Sequence, residues 1–141
     1  MPRSGRCLCG AVRFTVEGEL PPLINCHCQY CRRAHGSAFV TLAWIPSAAL
    51  RVVQGSAAIR DYRTAGVGSR AFCERCGTRL WNRAESIPDF LSLAIASLEE
   101  QPERGPVMHI NVESKARWYE ILDGLPQHAG LPPGVKPAIE P

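Results

Sequence analysis

Every one of the seven cysteines in this chain has another cysteine within three residues, and no other feature limits the possible folds as tightly. Cys7 and Cys9 form C-x-C, Cys26, Cys28 and Cys31 form C-x-C-x-x-C, and Cys73 and Cys76 form C-x-x-C. Thiols used as ordinary core residues would be scattered. Soft thiolates at close spacing are what zinc takes, because its sulfurs must converge on one ion at roughly 2.3 Å. The chain is therefore expected to fold around two zinc sites.

Disulfides and a redox dithiol are the competing uses. The segment Met1–Arg6 is charged and has no apolar run, and nowhere does the chain approach the ~20 apolar residues of a membrane span. The expectation is a cytoplasmic protein, whose thiols stay reduced. Seven is also odd, so full pairing would leave one thiol over. Cys73-x-x-Cys76 runs into Gly77-Thr78-Arg79-Leu80-Trp81, which does not read as the helix that a thioredoxin-like motif opens.

The simplest partition that splits no local cluster is four plus three. Cys26, Cys28 and Cys31 can form a three-thiolate face by themselves, leaving Cys7, Cys9, Cys73 and Cys76 to close across the chain. Alternate residues of a strand point the same way, so C-x-C can offer two sulfurs to one ion. Gly10 and Gly77 follow the outer pairs and tolerate the positive φ of a tight knuckle. Four thiolates describe a structural zinc, and three describe a site with an open position. The alternative is a second structural site whose fourth ligand, His27 or His35, is supplied by the fold. His27 sits between two ligands and should point away from them, which makes His35 the better candidate.

A length of 141 residues suits one domain. The formal charge of +3 counts the thiols as neutral, and seven thiolates with two dications would bring it to about zero. That balance argues against nucleic acid as a partner, and the arginines form no stripe. Arginine outnumbers lysine fourteen to two, a bias that suits carboxylate or phosphate recognition but also follows from coding preference alone.

Short strands dominate the pattern. Val12, Phe14 and Val16 alternate with polar residues, and further strands are expected at Leu23–Cys28, Phe39–Trp44, Leu50–Val53, Ile59–Arg63, Ser69–Cys73, Thr78–Asn82, Phe90–Ala96 and His109–Val112. Gln29–His35 reads as one helical turn. No segment keeps helical apolar spacing over three turns, so the domain is expected to be all-β over residues 1–125. Residues 126–141, with Pro126, Pro132, Pro133, Pro137 and Pro141, read as a loosely attached tail. Gly66-Val67-Gly68-Ser69-Arg70-Ala71 matches a dinucleotide-binding pattern only superficially, since no βαβ unit surrounds it, and it reads as a hairpin turn. His109 and His128 lack cysteine neighbours and read as ordinary residues, and Trp44, Trp81 and Trp118 read as core rather than ligand platforms.

Three cysteine motifs in this order also carry a resemblance. Gly5-Arg6-Cys7-Leu8-Cys9-Gly10-Ala11-Val12-Arg13-Phe14, Cys26-His27-Cys28-Gln29-Tyr30-Cys31-Arg32 with Gly36, and Phe72-Cys73-Glu74-Arg75-Cys76-Gly77-Thr78-Arg79-Leu80 are similar to the glutathione-dependent formaldehyde-activating enzyme and centromere protein V family. His109 to Trp118 and Asp123-Gly124-Leu125-Pro126 resemble it as well. The resemblance implies a β-tent of antiparallel sheets, with a structural zinc on Cys7, Cys9, Cys73 and Cys76 and a more labile zinc on Cys26, Cys28 and Cys31. It also implies carbon–sulfur chemistry of the lyase or synthase type: glutathione and formaldehyde condensing to S-hydroxymethylglutathione.

On this reading a small thiol, possibly glutathione, meets the open three-thiolate zinc and attacks a small aldehyde. Arg32 and Arg33, beside the site in sequence, would pair with the thiol's carboxylates. Two other classes of function fit the same motifs: a non-catalytic zinc-stabilised binding module, and a sensor whose Cys26, Cys28 and Cys31 release metal on oxidation.

Overall fold

In the computed structural model, which describes residues 1–132, the chain forms ten short strands and one α-helix. Strands β1 (Arg3–Arg6) and β2 (Arg13–Val16) make the first hairpin. After β3 (Ile24–Cys26) comes the helix α1 (Gln29–His35), then β4 (Val40–Pro46) and β5 (Leu50–Gln54). A meander follows, of β6 (Ile59–Thr64), β7 (Gly68–Cys73), β8 (Arg79–Ala84) and β9 (Phe90–Ala94), and β10 (Met108–Ile110) is the last strand. Two open sheets result. One has the order β1-β2-β5, the other β10-β3-β4-β9-β8-β7-β6, and only β10 on β3 pairs in parallel among the described strands. The all-β expectation holds.

The larger sheet is covered on both faces over its middle. In β4, Ala43 and Ile45 point to one side, with Phe14, Val16, Leu91 and Leu93 in the main core against the smaller sheet. Leu42 and the half-buried Trp44 point to the other side, where Ile24, Val40 and Ile110 surround Cys26, Cys28 and Cys31. This alternation of two apolar sets along one strand is the mark of a strand buried on both faces. Phe14 and Trp81 meet edge to face at 5.5 Å, joining the two sheets.

Where the structure departs from the sequence reading, the cause is local and visible. β1 has no apolar alternation and was not expected as a strand. It forms because Gly5 has no Cβ: one there would lie 2.2 Å from the Phe14 ring, so only glycine lets that ring cover the backbone. The helix covers the expected Gln29–His35 but makes about two turns rather than one, with Cys28 capping its N-terminus through Sγ and Gly36 its C-terminus. β9 stops at Ala94, where a 3-10 turn begins over Ile95–Ser97 and the Ser97 hydroxyl donates to the Ala94 carbonyl at 2.6 Å. β10 stops at Ile110, since Asn111 takes the left-handed conformation at φ 55°.

The expected tail divides in two. Residues 126–130 run beside β10: the His109 and Asn111 amides donate to the Pro126 and Gly130 carbonyls at 2.9 and 2.8 Å, and the His128 amide donates to the His109 carbonyl at 2.9 Å. This part is attached to the sheet rather than loose, because the open edge of β10 offers it backbone partners. The rest of the expected tail, residues 133–141, lies outside the described residues.

Candidate metal and thiol site

Two turns of similar build bring four sulfurs together. After β1, the Gly10 amide donates to the Cys7 carbonyl and the Cys7 amide to the Val12 carbonyl, both at 3.1 Å. After β7, the Gly77 amide donates to the Cys73 carbonyl at 2.8 Å and the Cys73 amide to the Thr78 carbonyl at 3.0 Å. Gly10 and Gly77 sit at φ 79° and 77°, as each knuckle requires. The Leu8 amide donates to the Thr78 hydroxyl at 2.9 Å and so ties one knuckle to the other. The sulfurs of Cys7, Cys9, Cys73 and Cys76 all lie within 4.8 Å of one another.

The second cluster sits on the opposite face of the large sheet. Cys26 ends β3, Cys28 caps α1 and Cys31 lies in its first turn, and all three are buried with sulfurs within 4.8 Å. All seven cysteines are free thiols. Zinc–sulfur bonds of about 2.3 Å arranged as a tetrahedron place sulfurs about 3.8 Å apart. The Cys7–Cys9 and Cys9–Cys73 separations of 3.6 and 3.9 Å fit that spacing. Both clusters could hold a metal ion, and the four-plus-three grouping read from the spacing is the grouping found in space.

Charge explains why the trio suits a cation. The neighbouring Cys26 and Cys31 thiols hold Cys28 far below the ordinary thiol range, helped by the Cys31 amide, which donates to its sulfur at 3.3 Å. The Cys28 charge in turn pushes Cys26 up to about 11, and Cys26 and Cys28 together push Cys31 well above its usual value. Three buried sulfurs this close resist ionising together. A buried positive ion is what allows all three to ionise.

Two residues that the sequence reading did not single out complete this site. Arg70 is buried, and its Nη atoms lie 3.8 and 4.0 Å from the Cys31 sulfur. Asn111 donates from Nδ2 to the Cys26 sulfur at 3.4 Å, an orientation that its left-handed backbone sets. Three sulfurs and a dication would leave one negative charge, and Arg70 is the cation placed to balance it. No local motif marks either residue.

A row of side chains floors the cluster. Arg70 on β7 pairs with Asn82 on β8, Asn82 with Ser92 on β9, and Ser92 with Trp44 on β4. Asn82, Ser92 and Trp44 help to line a cavity of about 40 Å³ that contains the three sulfurs. Trp44 is therefore a wall of the site, Trp81 is core, and Trp118 is exposed.

The expected auxiliary residues lie elsewhere. Neither His27 nor His35 brings a ring nitrogen into the sulfur cluster. His35 lines a separate cavity of about 420 Å³ with Arg6 and Arg79, and burial holds its pKa down at about 4. His27 points away from the sulfurs, as its place between Cys26 and Cys28 required. Fully buried, it meets His109 Nδ1 through Nε2 at 2.8 Å, while His109 Nε2 lies 2.9 Å from the Asp123 carboxylate. Burial, helped by the charges of His109, Lys115 and Arg32, lowers the His27 pKa to about 4. His109 is thus no ordinary residue but the buried middle of an Asp–His–His chain whose Asp123 end is exposed, which only the fold reveals. Arg33 is exposed and Arg32 half-buried, and neither lines the small cavity. Arg32 Nε is buried without a partner among the described residues.

Comparison with known proteins follows the same residues. The model of the glutathione-dependent formaldehyde-activating enzyme family matches residues 2–114. A Halomonas elongata protein that carries the family's name is 33% identical over 127 residues, covering 83% of this chain and 79% of its own. An uncharacterised lyase of Schizosaccharomyces pombe is 31% identical over 77 residues, and that match covers 55% of this chain and 54% of the lyase. Among solved structures, the crystal structure of a Rhodobacter sphaeroides protein superposes with a TM-score of 0.61 at 29% identity, covering 72% of this chain and 92% of the other.

Proposed function

Because this chain belongs to the glutathione-dependent formaldehyde-activating enzyme family, we propose that it joins a small thiol, glutathione in the first instance, to a small aldehyde. The observation that carries this reading is the division of seven free thiols into a closed set of four and a set of three. Cys7, Cys9, Cys73 and Cys76 would hold a structural zinc, and Cys26, Cys28 and Cys31 a second zinc with a position open to an incoming thiol. Zinc in that position supplies the positive charge that keeps sulfur in its thiolate form at neutral pH. A reducing cytoplasm would keep all seven ligands available. Among the described residues no helix is long and apolar enough to cross a membrane.

The chain's own groups divide the remaining work. Arg70 and Asn111 stabilise negative charge on Cys31 and Cys26 without giving up a proton. Leu42, Ile110 and Trp44 give the small cavity an apolar side, and the lower local dielectric strengthens those interactions. Arg32, whose Nε has no partner among the described residues, and Arg33 would receive the carboxylates of the thiol. In the reaction the thiol S–H bond breaks, a carbon–sulfur bond forms and the proton ends on the former carbonyl oxygen, with no net oxidation.

The test is ¹³C-formaldehyde and glutathione observed by exchange NMR with zinc-loaded protein. The expected result is faster formation of S-hydroxymethylglutathione, lost in Cys28→Ser while the protein stays folded. Rates equal to the uncatalysed reaction, with two zinc ions bound, would favour the non-catalytic binding module.

A further inference from the structure

Next to the sulfur trio lies a second cavity, of about 430 Å³, that formaldehyde does not need. The two spaces share Trp44, Asn82 and Ser92 as walls. Ile24, Ile87, Phe90, Met108 and Ala84 complete an apolar lining, and no charged side chain takes part. Resting on the thiol–aldehyde reading above, we infer that the preferred aldehyde carries an aryl or medium alkyl substituent, which seats in this cavity while its carbonyl carbon reaches the thiol at the sulfur trio.

Size and charge decide between candidates. The sulfur cavity, at about 40 Å³, has room for little beyond the reacting atoms. Anything larger must extend past the shared wall. An apolar cavity of about 150 Å³ is enough to bind benzene, so the neighbouring space accepts a phenyl-bearing group with room to spare. Glutathione is disfavoured as its occupant, because this lining offers its two carboxylates and ammonium no charged partner. The other reactant is left, and its substituent must be apolar to gain from this lining. The chemistry is unchanged: the thiol S–H bond breaks, carbon–sulfur bond formation converts the aldehyde into a hemithioacetal, and the proton goes to the carbonyl oxygen without any oxidant.

Titration calorimetry on the zinc-loaded full chain tests this with three ligands: glutathione, S-methylglutathione and S-(2-phenylethyl)glutathione, a stable likeness of the aryl adduct. The phenylethyl compound is expected to bind about tenfold or more tighter than the methyl compound, from burial of the ring. Ala84→Phe, which fills the cavity, should bring that ratio to about one and leave S-methylglutathione affinity unchanged, which also shows that the variant is folded. A ratio near one in the native protein, with glutathione bound, overturns the apolar pocket and leaves the thiol reading standing. If sedimentation then finds a dimer that Ala84→Phe dissociates, the cavity is covered by a second copy instead. Glutathione that does not bind at all overturns both readings.

Discussion

Arg70 shows how one buried charge ties the sheet to the sulfur cluster. It approaches Cys31 from β7, thirty-nine residues away, and no carboxylate competes for it among the described ion pairs. Residues that support a metal's ligands typically cost about 10–100-fold in affinity when lost. Arg70→Gln should therefore weaken zinc at the trio by that factor and leave the four-sulfur site unchanged, as read by competition with a chromophoric chelator. Equal affinity in the two proteins would remove Arg70 from the site. The histidines give a second expectation. His27 and His35 have pKa values near 4, below the ordinary 6.5, so the folded state refuses protons that the unfolded chain takes up. Their contribution to stability is complete above pH 6.5 and is lost as pH falls toward 4. Imidazole NMR signals of both should stay in the neutral form down to about pH 5, and an imidazolium signal above pH 6 would contradict the burial argument.

At the scale of elements, the late segment is the informative one. Residues 126–130 share backbone hydrogen bonds with His109 through Glu113, and Leu131 helps to wall the sulfur cavity. A chain ended after Leu125 would strip β10 of those partners. Each such bond is worth about 0.5–1.5 kcal/mol net, so losing the five of them should cost about 2.5–7.5 kcal/mol of stability, measurable by denaturant unfolding. A shift below about 0.5 kcal/mol would mean the segment merely lies on the surface. Its prolines made it read as a tail, since composition says nothing about an edge strand waiting beside it. What was legible followed local rules: the cysteine pairs with their glycines, the alternation of Phe14 and Val16, the hairpin around Gly66. What was not legible depended on distant pairing. Arg70 reaches Cys31 through the registers of four strands, Asn111 meets Cys26 across eighty-five residues, and Asp123, His109 and His27 align only once β10 lies on β3. β1 was hidden because a glycine, not an apolar residue, is what places it.

For the molecule as a whole, metal should govern folding unevenly. Structural zinc in small domains contributes an apparent ~10–16 kcal/mol, which matches or exceeds the ~5–15 kcal/mol that holds a typical fold. Cys73→Ser should give unfolded or insoluble protein. Cys28→Ser should keep near-native circular dichroism and bind one zinc instead of two, by mass spectrometry under native conditions. Equal collapse of both variants would end the division into a structural and a working site. β7 serves both sides of this division, since Cys73 joins the four-sulfur set and Arg70 the trio on the opposite face. The separation of sixty-four positions between Cys9 and Cys73 also sets an order in time. During synthesis the Cys7–Cys9 knuckle emerges early and has nothing to close on until residue 76 has been made. A nascent chain must therefore carry that pair of thiols without its partners while the intervening segment is made, and zinc that is scarce during synthesis should lower the yield of folded protein.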